Sequence, residues 1–251
     1  MKRALVLGTE IDRISFAGAI EHASTCMARR DGAYVVTPNA EIILNARNDC
    51  ALQTALRAAA ISLPDGVGAM LAARILGAPI CERIAGIDFA QALLAYLNTQ
   101  KGSVFLLGAR DGVALRAAEA LSGRYPSLIV AGAENGFFRE EQEEELIAKI
   151  NAVSPDLLLV CLGTPKQELW MYRHAPHLKV GLMAGLGGAL DVFSGDLKRA
   201  PKAWRDRGLE WLFRLLQEPG RLRRVLRLPH IILLALYYRI GGDTRQCQTE
   251  S

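Results

Sequence analysis

The chain has 251 residues, 51% of them hydrophobic, and a formal net charge of +4. That length is enough to bury a large core in one domain or in two closely packed ones. The five cysteines are scattered without a Cys-x-x-Cys pair, which argues against a disulfide framework or a zinc site and favours a cytoplasmic protein. No stretch reaches the ~20 apolar residues of a membrane-spanning helix, and the first apolar run is too short for a signal peptide. We therefore expect a chain that is soluble or lies on a membrane surface.

Short apolar runs rich in β-branched residues predict strands along most of the chain. They occupy residues 4–8, 33–37, 59–63, 103–108, 127–133, 156–163 and 178–185. Stretches with helical periodicity lie between most of them, most clearly at 40–59, 111–125 and 140–153. Apolar runs without polar alternation, separated by amphipathic helices, are typical of a parallel sheet covered on both faces. The pattern predicts an α/β fold: a Rossmann-like, mainly parallel sheet with helices on both faces.

The positive charge is concentrated after this α/β region. Between Lys198 and Arg227, ten Lys or Arg stand against three Asp or Glu, a net charge of +7 that leaves −3 for the rest of the chain. Leu and Trp residues among the arginines can form an apolar face, a composition typical of helices that lie on anionic lipid. We interpret residues 1–195 as an α/β core that holds the functional site, 196–241 as a basic helical appendage directed at the membrane, and 242–251 as a disordered tail.

Polar and glycine-rich turns follow six of the predicted strands. In a parallel sheet these turns meet at the carboxyl edge, where ligands bind. The turn from Gly108 to Gly112 leads into a helix and offers backbone N–H groups to a phosphate. It matches neither the Gly-x-Gly-x-x-Gly fingerprint nor a P-loop, so a plain strand–helix turn is an equally good interpretation.

A carboxylate stands in another of these turns. Pro64, Asp65 and Gly66 are common turn formers, and an ordinary turn explains the stretch taken alone. Asn would serve a turn equally well, however, and it could not accept a proton. A lone carboxylate at a strand end, with no second acid placed for a covalent intermediate, fits the general base of a single displacement.

The turn after the run at 156–163 begins a helix. Thr164 is expected to cap that helix, with Pro165 at its first position and Glu168 in its first turn. The same helix start can present Gln167 to a ligand. The histidines further along have neither the spacing nor the third ligand of a metal site, so no metal is expected.

A divalent metal is not indicated elsewhere either. The chain has no Asp-x-Asp, the motif with which many nucleotide-sugar transferases hold the metal on their leaving diphosphate. A sugar transferase without that motif needs arginines and backbone N–H groups to neutralise the diphosphate. Arg83 and the arginines of the appendage are candidates. A surface ion pair of Arg83 with Glu82 or Asp88 is the alternative.

Seven motifs occur in one order between residues 33 and 227. They are TPNAEIILNARND, LPDGVGAMLAARILG with ERIAGIDF, LLGARDGVA, NGFF, LGTPKQELW, GLGGALDVFSG and RAPKAWRDRGLEWLFRLLQEPGRLRR. Together they resemble the WecG/TagA/CpsF family of bacterial glycosyltransferases. The resemblance implies inverting, metal-independent transfer of N-acetylmannosamine, its uronic acid or glucose from a UDP-sugar donor. The implied acceptor is a sugar linked to polyprenyl diphosphate at the cytoplasmic face of the membrane, and no cofactor is implied.

The resemblance also assigns expected roles to individual residues. Asp65 matches the catalytic base of the family. The polar pocket around the base is expected at Thr37, Asn39, Arg83 and Gln167. The nucleotide and diphosphate are expected at Gly108, Gly136, Phe137, Gly163, Asp191, Arg214, Arg221 and Arg224. Phe137 is suited to stacking on uracil, although it lacks the hydroxyl that a Tyr would supply.

Two other classes of protein remain open on the sequence. A Rossmann-type oxidoreductase or sugar-nucleotide epimerase would need a glycine fingerprint or a Tyr-x-x-x-Lys pair, and the chain has neither. A nucleic-acid binder could use the basic appendage. The apolar segment at 230–238 fits lipid or a buried interface better, so we expect anionic lipid and no nucleic acid as a partner. The sequence leaves the oligomeric state open, a homo-oligomer included.

Overall fold

The structure is a computed structural model that describes residues 2–78, 80–217, 220 and 222–241, with the backbone alone at 206, 223 and 224. Its strands are β1 (Arg3–Val6), β2 (Thr9–Asp12), β3 (Tyr34–Val36), β4 (Ile61–Ser62), β5 (Ser103–Gly108), β6 (Ile129–Glu134), β7 (Leu157–Cys161) and β8 (Leu182–Gly185). Six of them form one sheet in the order β4-β3-β8-β7-β5-β6, and every neighbouring pair is parallel.

Helices cover this sheet on both faces. The helices of the core are α1 (Phe16–Arg29), α2 (Ala40–Ala46), α3 (Cys50–Ala58), α4 (Val67–Ile75), α5 (Gly86–Gln100), α6 (Val113–Arg124), α7 (Glu143–Val153), α8 (Lys166–His174) and α9 (Ala189–Phe193). One buried cluster joins the sheet to α1, α5, α6 and α9, and another joins it to α2, α3, α7 and α8. The side chains of β7 alternate between the two clusters and are all buried, so this strand needs apolar residues on both faces. The predicted Rossmann-like α/β fold is confirmed.

The first apolar run is a strand, but it does not join this sheet. β1 and β2 form a separate antiparallel pair. The pair borders the edge strand β4 through side chains: Ser62 N donates to Asp12 Oδ2 at 2.7 Å, and Ser62 Oγ donates to Glu10 O at 2.7 Å. The prediction that this run belongs to the parallel sheet is wrong because its partner is the next stretch of chain.

Two local predictions differ from the structure at helix ends. The helix predicted at 40–59 is two helices, because the Asp49 side chain accepts a hydrogen bond from Leu52 N and starts α3 anew. α8 begins at Lys166 with Pro165 as its N-cap, and no side chain caps it. Thr164 is therefore not the cap, and its peptide bond to Pro165 is cis.

The segment after residue 195 is helical. It forms α10 (Lys202–Asp206), α11 (Glu210–Gln217), α12 (Leu222–Val225) and α13 (Arg227–Ile240). α13 packs on α2 and α4, with Ile231 and Ala235 fully buried in a third apolar cluster. Gly68 of α4 allows this contact, since a Cβ there would lie 2.9 Å from Leu228 Cδ1. The appendage is thus tied to the core through its last helix. None of the described helices is both long and apolar enough to span a bilayer; the tail at 242–251 lies outside the described residues.

Candidate active site

A cavity of about 920 Å³ opens at the carboxyl edge of the sheet. The turns that follow all six parallel strands contribute to its wall, as the position of the polar turns in the sequence predicts. The appendage contributes Trp211 and Arg214 from α11, with Val225 and Leu228 beyond them. The cavity is therefore bounded by the core on one side and by the appendage on the other.

Asp65 lies in this wall, just beyond β4. Its backbone N–H donates to Pro38 O at 3.2 Å, which fixes the turn against the end of β3. Burial raises the pKa of the Asp65 carboxyl to about 6, while Arg214 opposes the rise, Glu210 adds to it and Arg83 opposes it. A hydrogen bond from the backbone N–H of Gly86 also favours the ionised form. A carboxyl that titrates near neutrality can both take and release a proton, as a general base must.

The two arginines near Asp65 come from different parts of the chain. Arg214 lines the cavity from α11, whereas Arg83, in the loop between α4 and α5, is not among the lining residues. Both are paired with Glu210, at 3.5 Å for Arg214 and 3.9 Å for Arg83. The alternative ion pairs considered for Arg83, with Glu82 or Asp88, do not form: Asp88 pairs with the appendage instead.

The remaining polar pocket residues are held by hydrogen bonds. Thr37 Oγ1 donates to Gly185 O at 3.0 Å, and Asn39 Oδ1 caps α2 by accepting from Glu41 N at 2.9 Å. Because Asn39 Oδ1 already accepts a hydrogen bond from the helix, the side-chain amide nitrogen is the group that can donate a hydrogen bond to a ligand. Thr37, Asn39 and Gln167 all line the cavity.

Gln167 is the most constrained of these three side chains. Its Oε1 accepts from Gly187 N at 2.9 Å, and its Nε2 donates to Glu168 Oε1 at 2.7 Å. Burial raises the pKa of Glu168, and the hydrogen bond from Gln167 opposes that rise. Because both polar atoms of Gln167 are hydrogen-bonded within the protein, the protein sets the orientation of this side chain in the cavity.

The glycines predicted to contact a nucleotide divide into two groups. Gly136 and Gly163 line the cavity, but Gly108 does not. A Cβ on Gly108 would lie 2.3 Å from Cys161 O, and its φ of +133° suits only glycine. Gly108 therefore lets the ends of β5 and β7 approach each other, and its contact with a ligand stays a prediction.

The outer rim of the cavity carries an exposed aromatic ring. Phe137 is 76% exposed although it is apolar, and its N–H donates to Asn135 Oδ1 at 2.9 Å. An exposed ring at the mouth of a cavity offers a stacking surface for a planar base. Asp191 lines the same cavity. Arg221 lies outside the described residues, and for Arg224 the side chain is not described.

The sequence interpretation missed three basic residues of the site. Arg110 and Arg139 line the cavity from the turns after β5 and β6, and Lys166 lines it from the start of α8, the helix after β7. Lys166 Nζ donates to Gly136 O at 3.0 Å and lies 4.5 Å from the ring centre of Phe138. Their common signal in the sequence is a basic residue in the segment that follows a strand.

A metal site is not apparent in the part of the chain that the structure describes, where no three His, Cys, Asp or Glu lie close enough to share an ion. His174 lies instead 2.9 Å from Glu143 Oε2 and packs on Trp170. The described cavity wall carries four basic side chains, Arg110, Arg139, Lys166 and Arg214, and three acidic ones, Glu41, Asp65 and Asp191. Its net charge is therefore positive when all seven are ionised. Such a site suits an anionic ligand such as a diphosphate.

Comparison with known proteins agrees with this chemistry. The model of the Glycosyl transferase WecG/TagA/CpsF family matches residues 4–245. An N-acetylglucosaminyldiphosphoundecaprenol N-acetyl-beta-D-mannosaminyltransferase of Bacillus spizizenii is 35% identical over 222 residues, 88% of this chain and 85% of the relative. Proteins of the same name are 36% identical over 207 residues in Bacillus subtilis (82% and 79% covered) and 33% identical over 228 residues in Staphylococcus aureus (89% and 88% covered).

These matches decide among the classes of protein that the sequence left open, because they cover the α/β core together with the appendage. The oxidoreductase and nucleic-acid alternatives are set aside, and the chain is a glycosyltransferase. By its match over nearly the whole length, this chain belongs to the WecG/TagA/CpsF family of glycosyl transferases.

Proposed function

We propose that this enzyme transfers N-acetylmannosamine from UDP to an N-acetylglucosamine that is linked through diphosphate to a polyprenol. The names of the three relatives support the sugar and the acceptor. The cavity supports the donor, because it combines an exposed aromatic ring at its mouth with basic side chains along its wall. The observation that carries the mechanism is Asp65, a carboxyl with a pKa of about 6 that lines the cavity beside Arg214.

The proposed reaction is one inverting displacement. A hydroxyl oxygen of the acceptor attacks the anomeric carbon of the donor as the bond from that carbon to the diphosphate oxygen breaks. Asp65 accepts the hydroxyl proton, and UDP departs with the bonding electrons. One displacement on an α-linked donor gives a β-linked product, which agrees with the beta-D-mannosaminyl names of the relatives.

Cationic side chains stabilise the departing diphosphate in this proposal. Arg214 reaches the cavity from the appendage, while Arg110, Arg139 and Lys166 reach it from the segments that follow β5, β6 and β7. Fixed positive groups of this kind stabilise negative charge that develops in the transition state. We therefore propose that the transfer needs no divalent metal.

The appendage is proposed to place the cavity at the cytoplasmic face of the membrane, where the lipid-linked acceptor resides. Large apolar side chains stay exposed on α11, α12 and α13 and between α12 and α13, namely Leu216, Leu222, Leu226, Leu233, Leu236, Tyr237 and Ile240. Basic residues surround them in the sequence. Helices of this composition bind at the surface of anionic bilayers. Flotation with phosphatidylglycerol vesicles tests this part: the full chain should float, and should not float with neutral phosphatidylcholine vesicles.

A screen of UDP-sugars tests the donor and the metal requirement together. The purified full-length chain is incubated with a short-chain prenyl-diphosphate N-acetylglucosamine and one UDP-sugar at a time, with and without EDTA, and UDP release is measured. We expect acceptor-dependent release with UDP-N-acetylmannosamine at the same rate in excess EDTA. Preference for another UDP-sugar would overturn the choice of donor. Loss of activity with EDTA, restored by Mg²⁺ or Mn²⁺, would overturn the metal independence.

A further inference from the structure

Glu210 occupies an unusual position between the core and the appendage. It is the first residue of α11, and its side chain is only 12% exposed. It pairs with Arg83 of the core at 3.9 Å and with Arg214, one turn further along α11, at 3.5 Å. In the part of the chain that the structure describes, neither arginine has another acidic partner within salt-bridge distance.

An ordinary structural role explains only part of this arrangement. An acidic residue at a helix N-terminus with a basic residue four positions later is a common stabilising pattern. That pattern does not require the glutamate to be buried, and it does not involve an arginine from another part of the chain. Burying Glu210 near the carboxyl of Asp65 is unfavourable, because like charges repel. The two arginines compensate that repulsion.

We propose that Glu210 is a positioning residue that holds Arg83 and Arg214 together beside Asp65. This inference rests on the proposed function, because it makes Glu210 the link that assembles the proposed base and its neighbouring cations from core and appendage. Arg214 is then already in place when the diphosphate of a donor enters. A side chain fixed in advance loses less conformational entropy on binding, so the gain appears in the rate of transfer.

Asp88 offers a matched control in the same protein. It also links the core to the appendage, through Arg199 at 2.5 Å and Arg205 at 3.7 Å. None of these three residues lines the cavity. Asp88→Asn therefore weakens the attachment of the appendage and leaves in place the three charged residues, Arg83, Glu210 and Arg214, that act on Asp65.

The pKa of Asp65 reports whether Glu210 positions the arginines. The charged groups that act on Asp65 are Arg214 and Glu210 from α11 and Arg83 from the loop before α5, with Arg214 the strongest and Arg83 the weakest. If other contacts hold the two arginines, they stay in place in Glu210→Gln. The only change is then the loss of one negative charge, which would lower the pKa of Asp65. If the substitution releases the arginines, the pKa of Asp65 would rise instead, because Arg214 alone lowers this pKa by more than Glu210 raises it.

The experiment is a pH titration of the Asp65 carboxyl by ¹³C NMR in the full chain without substrate, with Asp65→Asn used to assign the signal. We expect the pKa to rise above about 6 in Glu210→Gln and to stay unchanged in Asp88→Asn. A lowered or unchanged pKa in Glu210→Gln would overturn the proposal. Should Glu210→Gln fail to fold, Glu210→Asp tests the same point, since its shorter side chain keeps the charge and loses the reach to both arginines.

A mutant cycle measured by the rate of sugar transfer tests the same role of Glu210. We expect Glu210→Gln to lower kcat/KM about tenfold, and to change it less than twofold in a chain that already carries Arg83→Ala and Arg214→Ala. An undiminished tenfold effect in that background would show that Glu210 does not act through the arginines. The NMR titration needs no substrate, so it distinguishes failure of this inference from failure of the proposed function: a chain inactive with the proposed substrates can still show the expected shift.

Discussion

Replacing Asp65 by Asn tests the catalytic and the structural reasoning with a single change. Asn keeps the turn and the size of the side chain, but it cannot take the proton of the acceptor hydroxyl. Loss of a general base typically lowers a rate by ~10²–10⁴-fold. Binding of UDP should stay within a few-fold of the unchanged chain, because the cations and the exposed ring remain. Calorimetric titration with UDP and initial rates on the same preparation measure the two effects separately.

The same substitution should make the protein more stable at neutral pH. Burial raises the pKa of Asp65 from 3.8 to about 6, and a shift of about two units corresponds to an upper limit of ~3 kcal/mol. A raised pKa means that the folded state favours the protonated form. The penalty for ionised Asp65 is therefore absent below pH 3.8, grows between pH 3.8 and about 6, and is complete above about 6.

Asn escapes this penalty because it stays neutral at every pH. We expect Asp65→Asn to unfold at a temperature up to ~6–12 °C higher than the unchanged chain at pH 8. The difference should shrink toward pH 4, where Asp65 is protonated in the unchanged chain. Differential scanning calorimetry between pH 4 and 8 measures it. Near-normal turnover would show that Asp65 is only a turn residue, and equal stability at pH 8 would refute the raised pKa.

Three further substitutions test other parts of the site. Arg214→Ala should move the acidic limb of the pH profile of kcat/KM above about 6, since Arg214 lowers the pKa of Asp65; an unmoved limb would place Arg214 away from the base. Phe137→Ala should weaken UDP binding by ~1–3 kcal/mol while Phe137→Tyr stays within a few-fold, and equal binding of UDP by both variants would exclude stacking. Gly108→Ala should lower the free energy of unfolding by at least ~2 kcal/mol, because its Cβ would lie 2.3 Å from Cys161 O; unchanged stability in urea would contradict this.

Sequence patterns predicted the sheet because its strands are buried on both faces. Continuous apolar runs such as Leu157–Cys161 have no other common explanation when helices separate them. The same reasoning failed for the run at 4–8, since an apolar run does not reveal its partner. The β1–β2 pairing became visible only through contacts such as Ser62 N to Asp12 Oδ2, across 50 residues.

The position of the candidate site followed from the sheet, but its details did not. Parallel strands bring their carboxyl ends together, so residues as distant as Thr37 and Gln167 could be expected at one cavity. The link between Arg83 and Glu210 joins the loop before α5 to the start of α11 by tertiary packing, and no local pattern indicates it. At Gly108 a local pattern is present but has another cause. The surrounding sequence resembles a phosphate-binding turn, whereas the structure requires glycine there because the Cys161 backbone leaves no room for a Cβ.

The packing of the appendage on the core also could not be predicted from the sequence, because it depends on tertiary contacts. Ile231 and Ala235 are fully buried against the core, whereas Leu233 and Tyr237 on the same helix are exposed. Composition alone does not separate these two faces of α13. Removing the whole appendage would uncover the apolar surface of α4, so point substitutions on its exposed face are the sharper test of membrane binding.

The product of the reaction tests the central claim most directly. The full-length chain and Asp65→Asn are incubated in EDTA with UDP-N-acetylmannosamine and a short-chain prenyl-diphosphate N-acetylglucosamine, and the product is examined by mass spectrometry and NMR. We predict a disaccharide with a β-linked N-acetylmannosamine from the unchanged chain and a yield reduced by ~10²-fold or more from the variant. An α-linked product, or equal yields from the two proteins, would contradict a single displacement with Asp65 as its base.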